Sequence, residues 1–233
     1  MRVSRNFMNG MAGGNGINGM NSLLQRALSR SSKGRKTSRS AALLNSANKK
    51  NNILSQNTAT AAQSQKLYYN MKYHAEQVMD YASKLTDKGE KSLFAKAKES
   101  GDTAEIVSNI KGFVSQYNSM LASLRKSGTI TDNSYLTQLN SASSMNRSVL
   151  ESCGVTRNTD GTFKVDEEKL AAADLDTLEK AWNGNSSFAS RAALWADSIE
   201  ANAERSMKAE LSSAYSNLFK NYGNSGNYFN YFR

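Results

Sequence analysis

The sequence predicts a mainly α protein: an elongated helical bundle or coiled coil with one small β-hairpin and a disordered N-terminal tail. The first observation is that none of the 233 residues is proline, although ordinary usage of about 5% would supply about a dozen. The second is that apolar residues recur at intervals of three and four along three long stretches, which is typical of helices that pack side by side. The third is a single strand–turn–strand pattern at residues 154–166.

The predicted order along the chain is a tail at residues 1–61, the helical bundle at 62–222 and a flexible aromatic tail at 223–233. Of the 30 Lys and Arg residues, twelve precede residue 76, whereas all 20 Asp and Glu residues lie from Glu76 onward. The first segment is also rich in Gly, Asn and Ser, a composition that favours disorder. Its charge suits nucleic-acid phosphates, an anionic membrane surface or an export machine, and a merely solvated tail is the alternative.

Three helices are predicted to form the bundle, over residues 65–86, 103–126 and 187–221. The last of them spans on the order of 50 Å at 1.5 Å per residue and needs a partner along its length. A helical surface is expected where the apolar residues of each stretch share one face. The predicted helix-interface residues are Leu67, Met71, Val78, Ile106, Ile110, Phe113, Tyr117, Leu124, Trp195, Ile199, Leu211 and Leu218.

Local signals mark where these helices begin and cross. Asp102 and Glu105 stand three residues apart, which predicts a capping box, with Thr103 as a rival cap. Gly112 lies inside the apolar pattern and costs about 1 kcal/mol relative to Ala, so a close helix crossing at this point is expected. Asp132 is predicted to cap a further helix, whose apolar face has a polar middle.

The β-hairpin is predicted from β-favouring residues on both sides of an Asp-Gly turn. Val155 and Thr156 precede the turn, residues 158–161, and Phe163 and Val165 follow it. Asp166 then ends the second strand and is predicted to cap a short helix, whose next two residues are acidic, as the positive end of a helix dipole favours.

Catalytic and metal-binding chemistry is weakly represented. His74 and Cys153 are the single residues of their types, so neither a Cys cluster nor a nucleophilic triad can be assembled. A calcium loop around Gly161 would place Thr156 where the first acid belongs and Lys164 at the ninth position. The sequence therefore predicts no catalytic, cofactor-binding or metal-binding residues and no enzyme. Neither a Sec-type signal peptide nor a stretch of about 20 apolar residues is expected.

Two groups of residues carry a resemblance to a known family. The first group is Phe113, Val114, Tyr117 and Asn118, and the second is Gly154, Val155, Asp160, Gly161, Phe163, Val165, Asp166, Lys169 and Leu170. In order and spacing they resemble the C-terminal region of bacterial flagellar hook-associated protein 2, the filament cap family, over about residues 103–203. The signature residues of this resemblance are Asp160, Gly161, Phe163, Asp166 and Leu170.

The resemblance implies a non-enzymatic structural protein of the flagellum that self-associates through long helices. Its partners would be copies of itself, other flagellar axial proteins and an export chaperone, and it would be extracellular without a Sec signal. The β-rich head domains of the family have no counterpart here, so a headless relative or a protein that reuses the module is expected. The alternative, from the charge pattern, is a cytoplasmic coiled-coil protein that binds nucleic acid or anionic surfaces through its basic tail.

Overall fold

The structure is a computed structural model that describes the backbone of residues 38–223 and the side chains of residues 60–216. This part of the chain contains eight helices and one antiparallel hairpin. The elements are α1 Ser38–Thr86, α2 Leu93–Ser100, α3 Ala104–Ser127, α4 Ile130–Met145, α5 Arg147–Ser152, β1 Val155–Arg157, β2 Phe163–Val165, α6 Glu167–Ala172, α7 Leu175–Trp182 and α8 Phe188–Gly223.

The mainly α class with one small hairpin is therefore confirmed. The elongation of the bundle stays a prediction. The chain divides into two compact units, residues 1–56 and 57–233. In the first unit, the structure describes residues 38–56, which are helical. The fold and the contacts below concern the second unit.

The helical region begins earlier than the sequence analysis placed it. The tail was predicted to reach residue 61, but α1 begins at Ser38. No glycine or proline lies between Ser38 and Lys88, so no strong helix breaker interrupts this segment. The remainder of the predicted N-terminal tail and the predicted aromatic tail beyond Gly223 lie outside the described residues.

A single core lies among α1, α3, α4 and α8, with the shorter elements closing over it. Its largest fully buried side chains come from α1, α2, α3, α7 and α8. The space that a Cβ at Gly112 would occupy is taken by the ring of Tyr81 on α1. The glycine on α3 thus makes room for the Tyr81 side chain, and the predicted close approach of the two helix backbones stays a prediction.

Two of the predicted helix caps are wrong in detail. Asp102 accepts a hydrogen bond from the backbone N–H of Ala104 at 2.8 Å, but within the described residues Glu105 makes no return bond, so no capping box forms. Helix α4 is capped by Thr129, whose hydroxyl accepts from the N–H of Asp132 at 3.1 Å. Asp132 is completely buried instead. The hydroxyl of Thr129 caps the N-terminus of α4, so the carboxylate of Asp132 is not needed as a cap and makes other contacts.

The short helices were only partly foreseen. Helix α2 was not predicted, although Ser92 caps it and Gly101 ends it in the left-handed conformation. The segment after the hairpin forms two helices, because Asp174 accepts the N–H of Thr177 at 2.8 Å and starts α7 afresh. The helix predicted after Asp132 is likewise divided, at Asn146.

The hairpin has the predicted position. Val155 pairs with Val165 and Arg157 with Phe163. Gly161 has φ +84°, a conformation that side chains with a Cβ rarely adopt. Asp166 accepts the N–H of Lys169 at 3.0 Å and caps α6 as predicted.

Candidate interaction surface and the hairpin docking site

The hairpin is attached to α3 through one side-chain amide. Asn118 donates from Nδ2 to the carbonyl oxygen of Phe163 at 2.8 Å and accepts the N–H of Phe163 at Oδ1 at 2.9 Å. The backbone groups of Phe163 point away from β1, since Asn158 and Thr162 form the neighbouring hydrogen-bonded pair. Asn118 therefore bonds to β2 as an adjacent strand would.

An aromatic cluster lies directly beneath this attachment. Phe163 of the hairpin contacts Tyr117 of α3 and Phe188 of α8, with ring centroids 5.3 and 4.9 Å apart. Phe113 meets Trp182 edge-on at 5.4 Å. All five rings are buried. Because offset and edge-to-face pairs of this kind add to the free energy of simple burial, the cluster joins the hairpin, α3, α7 and α8 firmly.

The hydroxyl of Tyr117 finds no hydrogen-bond partner among the described residues. Burial raises the pKa of Tyr117, although Arg157 and Arg125 act in the opposite direction. Its hydroxyl therefore remains protonated at ordinary pH. A buried hydroxyl without a hydrogen-bond partner lowers the free energy of unfolding. The packing of the Tyr117 ring offsets this loss.

The turn of the hairpin is held by its own carboxylate and by two arginines. Asp160 accepts from the N–H of Thr162 at 3.0 Å and from its hydroxyl at 2.6 Å, and these bonds lower the pKa of Asp160 below its ordinary value. Arg125 donates to the carbonyl oxygen of Asp160. Arg157 reaches across to Asn140 of α4 at 2.9 Å.

The signature residues thus have local structural tasks. Asp160 and Gly161 form the turn, Phe163 enters the aromatic cluster, Asp166 caps α6, and Leu170 is fully buried. None of these tasks requires a ligand. The signature residues therefore explain why the hairpin packs stably on the rest of the fold. A functional surface is sought among the exposed residues instead.

The predicted helix-interface residues fall into four groups. The structure buries most of them in the core. Leu67 and Trp195 are half-buried, Leu211 is exposed, and the side chain of Leu218 lies outside the described residues. The buried group is Met71, Val78, Ile106, Ile110, Phe113, Tyr117, Leu124 and Ile199.

Among the described side chains, residues 60–216, the buried part of the core does not reach either limit of the range. Within this range the first buried residue of α1 is Met71, and the last buried residue of α8 is Ala203. Residues 60–70 of α1 and 204–216 of α8 contain no buried residue. We call these two stretches the open segment. In them, α1 and α8 continue past the last buried residues of the described core.

Ion pairs connect the two helices where the open segment begins. Lys72 on α1 pairs with Glu200 on α8 and lies 3.5 Å from Glu204. Glu204 also pairs with Lys208 at 2.7 Å. The hydrogen bond to Glu200, together with the charges of Glu200 and Glu76, raises the pKa of Lys72, so its positive charge persists over the physiological pH range. The pairs are partly exposed, and such pairs contribute about 0–1 kcal/mol each.

Large apolar side chains of the open segment remain in contact with solvent. Tyr69 is 54% exposed, Leu211 43% and Tyr215 42%. Single exposed apolar residues are normal on protein surfaces. Three of them on two neighbouring helices, beyond the last buried layer, form a surface that another helix can cover.

A buried polar cluster closes the core at the same end. The carboxylate of Asp132 accepts from the hydroxyls of Ser127 and Thr129, the latter at 2.7 Å, and from the amide of Asn202 at 3.2 Å. Burial raises the pKa of Tyr68, with the charge of Asp132 adding to the effect and a hydrogen bond with Ser206 opposing it. Helices α1, α3, α4 and α8 therefore meet here through polar groups.

The single histidine and cysteine both have structural partners. His74 Nδ1 is 2.7 Å from Gln116 Oε1, and Cys153 is buried with its thiol donating to the carbonyl oxygen of Leu150 at 3.2 Å. Burial raises the pKa of Cys153, which disfavours the reactive thiolate. In residues 38–223 as described, no group of three or more His, Cys, Asp or Glu residues is placed to hold a metal ion.

A cleft of about 630 Å³ lies between α2 and α7. Its lining is largely charged, and Lys98 pairs with Glu179 within it at 2.7 Å. Lys88, another lining residue, donates to the side chain of Asn185 at 2.8 Å. None of the helices in the described part of the chain combines the length and apolar character that a membrane span requires.

Comparisons with family models, with curated proteins and with solved structures gave no match to this chain. The resemblance to the filament cap family therefore stays a prediction that rests on the residues quoted for it.

Proposed function

We propose that this protein is a non-enzymatic structural or assembly component of the bacterial flagellum, and that it acts by helix–helix association with further copies of itself or with related axial proteins. The observation that carries the proposal is the open segment. Helices α1 and α8 extend there past the last buried residues of the described core, and Tyr69, Leu211 and Tyr215 are exposed. A partner helix that packs on these three side chains takes the place beside α1 and α8 that α3 and α4 have in the core.

The energetics favour association at this place. Within the chain, the open segment is joined by partly exposed ion pairs, and it lacks a buried apolar layer. An isolated helix pair of this kind is only marginally stable in water. Covering each half-exposed Tyr or Leu side chain stabilises an assembly by about 1 kcal/mol, at about 25 cal/mol per Å² of apolar surface.

The flagellar part of the proposal is supported by the resemblance. Its two groups of residues, far apart in sequence, meet around one hairpin: Asn118 and Tyr117 of the first group bond to or pack on Phe163 of the second. Residues that fold as one unit are expected to occur together in a reused module. The location outside the cell follows from the same resemblance and belongs to the same proposal.

Sedimentation equilibrium of the full chain over a wide concentration range tests the association. We expect concentration-dependent oligomers, and we expect Leu211→Asp to shift the protein towards monomer because a carboxylate cannot be buried unpaired at a helix contact. Leu194→Asp is the matched control. It lies on the same helix, is 71% exposed, and is placed beside the core rather than in the open segment.

A monomer at every concentration would contradict self-association, as would an equal effect of both substitutions. The flagellar assignment is tested separately, by mass spectrometry of sheared filaments and culture supernatant from the bacterium that makes the protein. Detection there, lost when the flagellar export apparatus is inactivated, is the expected result. Detection in the cytoplasm alone would overturn this part.

The charge pattern favours one other function. Twelve basic and no acidic residues precede residue 76, so a cytoplasmic coiled-coil protein that binds nucleic acid or an anionic surface is the second candidate. Retention on DNA that falls steeply with salt, and that is lost on removal of residues 1–50, would favour it. Retention on an anionic vesicle but not on DNA would identify the surface as the target.

A further inference from the structure

We draw no further inference here: the strongest candidate, the exposed apolar side of the open segment at Tyr69, Leu211 and Tyr215, belongs to the surface already described, and nothing in the structure shows what covers it.

Discussion

Asn118 bonds to both backbone groups of Phe163, donating to the carbonyl oxygen and accepting the N–H, at 2.8 and 2.9 Å. One side chain on α3 thereby satisfies the outer edge of β2. A two-stranded hairpin of three residues per strand is too small to be stable alone in water. Its attachment to α3 and the burial of Phe163 in the aromatic cluster hold it in place.

We expect Asn118→Ala to lower the free energy of unfolding by about 2–4 kcal/mol, because each partly buried group left without a partner costs about 1–3 kcal/mol. Asn109→Ala on the same helix is the control, since Asn109 bonds only to the carbonyl oxygen of Glu105 one turn away. Urea denaturation followed by circular dichroism measures both. Equal losses of unfolding free energy in the two variants would show that the bonds from Asn118 to Phe163 contribute no more than a local bond within one helix.

Tyr117→Phe should leave the stability unchanged or raise it slightly. The hydroxyl is buried without a partner among the described residues, so its removal relieves a desolvation penalty while the ring contacts remain. Tyr117→Ala should instead cost about 3–5 kcal/mol through the cavity it leaves. Thermal unfolding of the two variants distinguishes these effects, and a large loss in Tyr117→Phe would reveal a hydrogen bond that the structure lacks.

Gly112→Ala should destabilise the protein although alanine is the better helix former. The added methyl group meets the ring of Tyr81, and overpacking typically costs about 1–3 kcal/mol, against a helix-propensity gain of about 1 kcal/mol. The double-mutant cycle with Tyr81→Ala provides the check. In the Tyr81→Ala background the same Gly112→Ala change should become stabilising, and additive effects would argue against the contact between Gly112 and the Tyr81 ring.

Acid should weaken the hairpin turn through Asp160. Its pKa lies below the ordinary value of 3.8, chiefly because the hydroxyl and N–H of Thr162 bond to the carboxylate. A carboxyl whose pKa is depressed by folding stabilises the protein above its unfolded pKa, and this contribution disappears as the pH falls through the folded pKa. Asp160→Asn should therefore be less stable than the wild type at pH 7, and the difference should shrink as the pH falls through the folded pKa of Asp160.

Urea denaturation of both proteins at a series of pH values measures this difference. A gap between them that stays constant down to the lowest pH would mean that the carboxylate charge is irrelevant and that another property of the side chain matters. Asp166→Asn gives a useful comparison, since Asp166 caps α6 just outside the turn.

Much of the fold could be predicted because its signals are local. The Asp-Gly turn, the cap at Asp166 and the apolar spacing of α3 each depend on residues within a few positions of one another. Gly112 is a partial exception. The sequence indicated that the missing side chain serves a close contact there, but the contact is with the ring of Tyr81, which only the structure identifies.

The remaining features depend on contacts between distant residues. Asp132 was expected at a helix start, yet it is buried, because Asn202, seventy positions away, supplies a donor to its carboxylate. Asn118 belonged to the matched pattern without an assigned role, and its role requires the position of Phe163. Helix α2 could have been found from Ser92 and Gly101, which flank the apolar pair at its start.

Helix α8 continues without interruption from Phe188 in the aromatic cluster to the open segment and beyond. A partner that binds at Leu211 therefore contacts the same continuous helix whose first residue, Phe188, packs against Phe163 of the hairpin. Binding and unfolding are linked, because a partner that binds only the folded chain stabilises the folded state. The assembled protein should consequently resist heat better than the free chain, and the gain should extend to the distant turn around Asp160.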